Sequence, residues 1–81
     1  MLLSEDIKRI IAEGLACEGL HVEGDGYQFE AILVSSEFVG KSRVQRQQLV
    51  NALLRSYFDS GELHALSMKT LTPDEVKALR G

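Results

Sequence analysis

The sequence predicts one α+β domain with the element order αββαβα, in which helices pack on a three-stranded mixed sheet. Three patterns indicate this class. Apolar residues recur at helical spacing from Ile7 to Leu15. Two strand-like runs flank the turn Gly24-Asp25-Gly26. A third strand-like run, at 63–71, follows a long helical stretch, so we expect this strand to lie parallel to the second one.

The first half of the chain is predicted to form a helix and an antiparallel hairpin. Ser4 is expected to cap the helix, because two acidic residues follow it at the favourable end of the helix dipole. Gly14 marks the end of the helix. The hairpin strands are predicted at 20–23 and 27–35, and the apolar second half of the latter indicates the centre of the sheet.

The second half contains a predicted helix that starts after the N-cap Ser42 and reaches about Phe58. Its apolar residues are spaced for a single buried stripe. The stripe comprises Val44, Val50, Leu53, Leu54, Tyr57 and Phe58.

A last short helix is predicted after the third strand. Thr72 and Glu75 have the spacing of a capping box, and Pro73 occupies the first helical position. Val76 and Leu79 are expected to anchor this helix on the core. The predicted domain spans residues 1–81, without a linker or repeat.

Composition predicts a soluble cytoplasmic protein. The hydrophobic fraction of 44% and the charged fraction of 26% are typical of globular domains. The lone Cys17 has no partner for an internal disulfide, which fits a reducing compartment. The acidic start at 1–6 does not resemble a signal peptide, and no apolar run approaches the ~20 residues that span a bilayer.

Charge is unevenly distributed along the chain. The net charge is −3, yet residues 38–58 carry four basic residues and no acidic one, so that this stretch is +4 and the remainder is −7. Two interpretations stay open: a solvated helix face, or a surface that meets phosphates or an acidic partner.

Catalytic patterns are missing, and we therefore predict a binding protein and not an enzyme. Gly40-Lys41-Ser42 resembles the end of a phosphate-binding loop, but Ser35 occupies the position of the first required glycine. His21 and His64 are the only histidines, and together with Cys17 they lack the spacing of a closed metal site. Cys17 lies in an apolar context that favours a buried, inert thiol.

Three stretches resemble the signatures of the BolA family, particularly of its short bacterial members. They are FVGKSRVQRQQLV at 38–50, LHALSMKTLTPDE at 63–75 and the hairpin VEGDGYQF at 22–29. The resemblance implies a fold similar to a type II KH domain. It also implies pairing with a monothiol glutaredoxin, in a heterodimer that holds a bridging two-iron, two-sulfur cluster. The glutaredoxin and its glutathione would supply thiolates to that cluster.

By the same resemblance, His64 is the family's histidine ligand to the shared cluster. The family draws a second ligand, His or Cys, from the hairpin loop, where this sequence has Gln28, a poor iron ligand. His21 is a weak candidate for that second ligand, on condition that its side chain reaches the same side.

The resemblance implies a second activity, DNA binding as a transcriptional regulator through the loop–helix segment 41–55. The chain has no G-x-x-G loop of the kind with which KH domains clamp nucleic acid. Because the chain outside residues 38–58 is acidic, DNA binding is expected to be weak and steeply dependent on salt. The residues predicted to bind nucleic acid or to dock a partner are Lys41, Ser42, Arg43, Arg46 and Lys69.

Overall fold

A computed structural model describes residues 2–26 and 28–80, and it confirms the predicted α+β class. The elements are α1 (Ser4–Gly14), β1 (Gly19–Gly24), β2 (Gln28–Val34), a 3-10 turn (Ser36–Phe38), α2 (Arg43–Leu53), α3 (Arg55–Ser60), β3 (Ala65–Leu71) and α4 (Pro73–Arg80).

The three strands form a mixed sheet in the order β1-β2-β3. β1 pairs antiparallel with β2, in a register that sets Gly19 opposite Val34. β3 pairs parallel with β2, as predicted, and Gln28 lies beside Ala65 at the start of both strands. β2 is the central strand of the sheet, as its apolar second half predicted.

The sheet has one covered and one open face. Side chains alternate along β2, so that Phe29, Ala31 and Leu33 are buried while Glu30 and Ile32 are exposed. α1 and α2 pack on the buried side, where they complete the core. The opposite side, called here the open face, presents the exposed side chains of alternate strand residues: His21, Glu23, Gln28, Glu30, Ile32, Ala65, Ser67 and Lys69.

The predicted cap of α1 is wrong. Leu3 has an extended backbone with φ −102° and ψ 159°, and Ser4 is the first helical residue. The capping group is instead the Asp6 carboxylate, which accepts a hydrogen bond of 2.8 Å from the Leu3 N–H. A carboxylate in the first turn satisfies a free backbone donor and also faces the positive end of the helix dipole.

The single long helix predicted up to Phe58 is interrupted at Leu54. There the backbone leaves helical geometry, with φ −108° and ψ 7°, while the side chain is completely buried. The interruption separates α2 from α3, and α3 ends at Gly61 in the left-handed conformation (φ 82°).

Val44 was wrongly placed in the buried stripe, since it is 61% exposed. Val50 defines the buried direction of α2, and Val44 precedes it by six residues. At 3.6 residues per turn, six residues rotate a side chain to about 120° from that direction. Arg46 precedes Val50 by four residues and lies within about 40° of it, on the buried side.

The start of α4 agrees with the sequence, but its end does not. The Thr72 hydroxyl accepts from the Glu75 N–H at 3.2 Å, and the Glu75 carboxylate accepts from the Thr72 N–H at 2.8 Å, which confirms the capping box. Val76 is half-buried, whereas Leu79 is 67% exposed and does not anchor the helix. The cap fixes only the first turn, and the last turn lies outside the core.

Candidate functional site

The parallel register of β2 and β3 distributes the predicted site residues over two ends of the sheet. His64 immediately precedes β3, which starts beside Gln28, so it lies at the end where the β1–β2 turn lies. We call this the hairpin end: residues 24–26, Gln28 and His64. The strands finish six residues later at Val34 and Leu71, roughly 20 Å away at about 3.3 Å per residue.

The start of α2 and the end of β3 form the second region, called here the basic end. Its members are Lys41, Ser42, Arg43, Arg46 and Lys69. Arg55 belongs to α3 and lines a separate groove on the helices. Arg55 lies beyond the interruption at Leu54, and α2 alone extends about 15 Å from Arg43 to Leu53 at the rise of an α-helix. The basic segment predicted at 41–55 is therefore not one continuous surface.

A tight turn shapes the hairpin end. The Asp25 N–H donates to the Gln28 carbonyl at 3.2 Å, and the Gln28 N–H donates to the Asp25 carboxylate at 3.4 Å. Gly24 has φ +141°, and a Cβ there would stand 2.2 Å from the Gln28 carbonyl oxygen. Only glycine fits this approach, and Asp25 has the turn-stabilising role that its position predicts.

His64 is presented to solvent by a buried neighbour. Leu63 is 2% exposed, and its N–H donates to the Tyr57 carbonyl at 3.0 Å. This anchor fixes the backbone just before β3, while the His64 side chain is exposed. A neutral imidazole in this position has the chemistry of a metal ligand.

The structure does not bring His21 to the hairpin end. His21 pairs with Ile32 on β2, four residues from Gln28, which is roughly 13 Å along the strand. Its Nε2 lies 3.3 Å from a Glu23 carboxylate oxygen on the open face. His21 and His64 therefore do not share a site, and the condition attached to His21 as second ligand is not met.

Among residues 2–26 and 28–80, no three His, Cys, Asp or Glu side chains come together in an arrangement that could hold a metal ion. Cys17 is half-buried. Burial, and then the carboxylates of Glu18 and Glu37, raise the pKa of its thiol. A raised pKa keeps the sulfur protonated at neutral pH, whereas a metal ligand or nucleophile needs the thiolate.

Arg46 has a structural role that the sequence did not reveal. Its side chain is 12% exposed and forms a bidentate ion pair with Glu75, at 2.8 and 3.2 Å. It also donates to the Lys41 carbonyl at 3.0 Å and to the Thr70 carbonyl at 3.1 Å, and it lies over the Phe38 ring at 5.9 Å. Four of the five guanidinium N–H groups are thus engaged within the protein.

This network changes the electrostatics of Glu75. The hydrogen bond from Arg46, followed by the one from the Thr72 N–H, lowers the pKa of Glu75 to about 2. The carboxylate is therefore ionised through the whole physiological range. It ties the start of α4 to α2, which lies 29 residues earlier in the chain, and to Thr72, the residue that follows β3.

Unlike Arg46, the neighbouring residues Lys41, Ser42 and Arg43 are exposed. The Ser42 hydroxyl accepts from the Gln45 N–H at 3.2 Å, so it caps α2 as predicted. Arg43 and Lys69 line an open cleft with Arg46. Lys41 is exposed, and its carbonyl accepts from Arg46. Partner or phosphate docking stays a prediction for Lys41, Arg43 and Lys69.

Comparison with known proteins gives a consistent result. A family model described as BolA-like protein matches residues 8–75. The chain is 38% identical over 72 residues to the acid stress protein IbaG of Escherichia coli, covering 89% of this chain and 86% of the relative.

Solved structures agree with that match over nearly the whole length of the chain. A BolA protein homologue from Coxiella burnetii is 41% identical, with a TM-score of 0.82 and coverage of 95% of this chain and 99% of the other. A Bol-like protein from Babesia bovis is 30% identical, with a TM-score of 0.87 and coverage of 100% and 96%. In the described part of the chain, no helix has the length and apolarity to cross a membrane.

Proposed function

This chain belongs to the BolA family, and on that premise we propose that it is an adaptor in iron–sulfur cluster handling. It binds a monothiol glutaredoxin and contributes His64 as a ligand to a two-iron, two-sulfur cluster shared between the two proteins. The observation that supports this role is the exposed His64 side chain, set beside the hairpin turn by the buried Leu63. The proposed role is binding and not catalysis.

The residues at the hairpin end fit a shared cluster only in part. His64 offers one imidazole, which is an accepted ligand for iron. Gln28, at the neighbouring register position, offers an amide in place of a His or Cys side chain. The partner and its glutathione therefore supply every other ligand. The bound cluster would supply electron-transfer or cluster-transfer chemistry, and imidazole ligation raises its reduction potential relative to all-thiolate ligation.

Reconstitution with a monothiol glutaredoxin, iron and sulfide tests this proposal. We expect a heterodimer whose visible absorption and circular dichroism differ from those of the glutaredoxin homodimer. His64→Ala is expected to abolish the difference, and the matched control His21→Ala to leave it intact. An unchanged spectrum in His64→Ala overturns the ligand assignment, and the absence of any heterodimer overturns the adaptor role.

DNA binding is a second candidate, favoured by the exposed Lys41, Arg43 and Lys69 at the basic end. With so few cations on an acidic chain, we expect gel shifts near 50 mM salt and their loss near 200 mM. The double variant Arg43→Gln/Lys69→Gln is expected to abolish the shift, while Arg55→Gln retains it. No shift at the lower salt concentration contradicts this candidate.

A further inference from the structure

The cleft at the basic end combines two unpaired cations with apolar walls, and from this combination we infer a binding site for an organic phosphate monoester. The ligand class is a phosphate monoester whose alcohol part carries an apolar or aromatic group. This site is separate from the hairpin end and does not depend on the adaptor role proposed above.

The cleft has a volume of about 550 Å³, which is within the range of small-molecule sites. It is formed where the start of α2, the end of β3 and α4 meet. The side chains that matter for recognition are those of Arg43, Arg46, Lys69, Leu71, Glu75 and Leu79.

The ion pair of the cleft leaves two positive charges available. Arg46 and Glu75 neutralise each other through two hydrogen bonds. The side chains of Arg43 and Lys69 form neither a hydrogen bond nor an ion pair with any residue of 2–26 or 28–80, and both residues are exposed. A phosphate monoester carries a charge between −1.5 and −2 at neutral pH, which matches two cations better than a singly charged carboxylate does. The guanidinium fork and the ammonium point charge are both established phosphate ligands.

The apolar residues of the cleft indicate which chemical group a bound phosphate monoester would carry. Leu79 is 67% exposed, and it lines the cleft together with Leu71 and Ala78. An exposed leucine next to unpaired cations gains by covering its surface with an apolar group. Inorganic phosphate has no such group, and the phosphodiesters of a nucleic-acid backbone carry one charge each. The combination therefore favours a monoester with an apolar body.

A nuclear magnetic resonance titration of the ¹⁵N-labelled chain tests the inference, with phenyl phosphate, inorganic phosphate and phenol as probes. We expect saturable shifts of the amides at 69–71 and 75–79, at lower concentrations of phenyl phosphate than of inorganic phosphate. Phenol alone is expected to leave these amides unshifted. Shifts that are unsaturable, or equal for the two phosphates, overturn the proposal.

Single and double variants separate the charged half of the site from the apolar half. Arg43→Gln and Lys69→Gln are each expected to weaken the binding of phenyl phosphate roughly tenfold, because each removes one hydrogen bond to a charged group. Leu79→Ser is expected to weaken the binding of phenyl phosphate and to leave the affinity for inorganic phosphate unchanged. Arg55→Gln is the matched control, because it removes an equal charge outside the cleft. Unaltered binding in Arg43→Gln/Lys69→Gln contradicts the site.

Adenosine monophosphate and O-phosphotyrosine then distinguish two sources of the monoester. Displacement of phenyl phosphate by either compound supports the assignment and identifies the body that the cleft prefers. The titration uses the chain alone, without glutaredoxin, iron or sulfide. A negative result therefore leaves the adaptor proposal standing, and failure of the reconstitution leaves this site standing.

Discussion

The hairpin end and the basic end are built in different ways. The hairpin end consists of a local turn to which one residue from far along the chain, His64, is added by the parallel register of β2 and β3. The basic end depends on side chains that converge from three segments, and its centre is the Arg46–Glu75 pair. Arg43 and Arg46 lie three residues apart, yet one is exposed and the other is 12% exposed. The difference teaches that tertiary contacts, and not residue type, decide which cation is available to a ligand.

The largest effect is expected at the turn of the hairpin end, in Gly24→Ala. The added Cβ would meet the Gln28 carbonyl oxygen at 2.2 Å, at a backbone φ of +141°. We expect a loss of about 3 kcal/mol in the free energy of unfolding, because steric overlap adds to backbone strain. Urea denaturation followed by circular dichroism measures it.

Gly40→Ala is the control for that variant, at the basic end. Gly40 also has a positive φ, +80°, but a Cβ there meets no atom within 4 Å. We expect a loss of only about 1 kcal/mol from the left-handed backbone. Equal losses for the two variants would show that backbone conformation alone, without the close approach at Gly24, sets the cost.

The next effect concerns the basic end, in Arg46→Met. Methionine keeps much of the buried stem but removes the hydrogen bonds to Glu75, Thr70 and Lys41. We expect about 2 kcal/mol of destabilisation, by the measure of hydrogen bonds to charged groups. Thermal denaturation is the measurement, and Arg43→Met is the matched control, expected within about 0.5 kcal/mol of the unchanged protein. Similar losses for both would remove the distinction between the two arginines.

A smaller effect is the pH dependence that Glu75 confers. Its pKa is about 2 in the folded protein, below the ordinary value of 4.5. A lowered folded-state pKa stabilises the fold above pH 4.5, and that contribution is lost as the pH falls toward 2. We therefore expect Glu75→Gln to be less stable than the unchanged protein at pH 7, with the difference closing between pH 4.5 and 2.

Urea midpoints at pH 7, 5, 4 and 3 measure this difference. Glu13→Gln, at an exposed position of α1, is the control in which no such convergence is expected. A Glu75→Gln difference that is constant across the whole pH range would contradict the electrostatic role of the network.

The smallest effect on stability is expected from Gln28→His, which tests whether residue 28 occupies a ligand position at the hairpin end. Gln28 is exposed, so the free energy of unfolding should change by less than about 0.5 kcal/mol. Under the adaptor proposal, a second imidazole near His64 is expected to lengthen the lifetime of the reconstituted cluster, followed by its visible absorbance in air. Glu30→His, farther along β2, is the control. An equal lifetime for both variants would contradict a ligand position at Gln28.

The local patterns of the sequence predict most of the fold. The Ser42 and Thr72 caps, the β1–β2 hairpin and the parallel β3 are all confirmed, because each depends on residues close together in the chain or on an ordinary connection rule. The interruption at Leu54 was not predicted, since no glycine or proline marks it in the sequence and Leu54 continues the apolar stripe into the core.

Prediction of the site was less complete, for a related reason. His64 was singled out through the resemblance of its surrounding stretch, and the structure adds its exposure and its place beside the hairpin turn. Arg46 and Glu75 are 29 residues apart in the chain, so no local spacing pattern in the sequence predicts their ion pair. The separation of His21 from His64 needed the strand register, which a single sequence does not contain.

The register of β2 and β3 also has a kinetic consequence. Asp25 and Gln28 hydrogen-bond to each other within the hairpin turn, whereas Ala65 pairs with Gln28 across 36 intervening residues. Contacts of such long sequence separation pay a larger loop-closure entropy and form later than local ones. We therefore expect the hairpin to gain hydrogen-exchange protection during refolding before β3 does. A partner that contacts both His64 and the hairpin turn would then bind only chains in which β3 has already paired with β2.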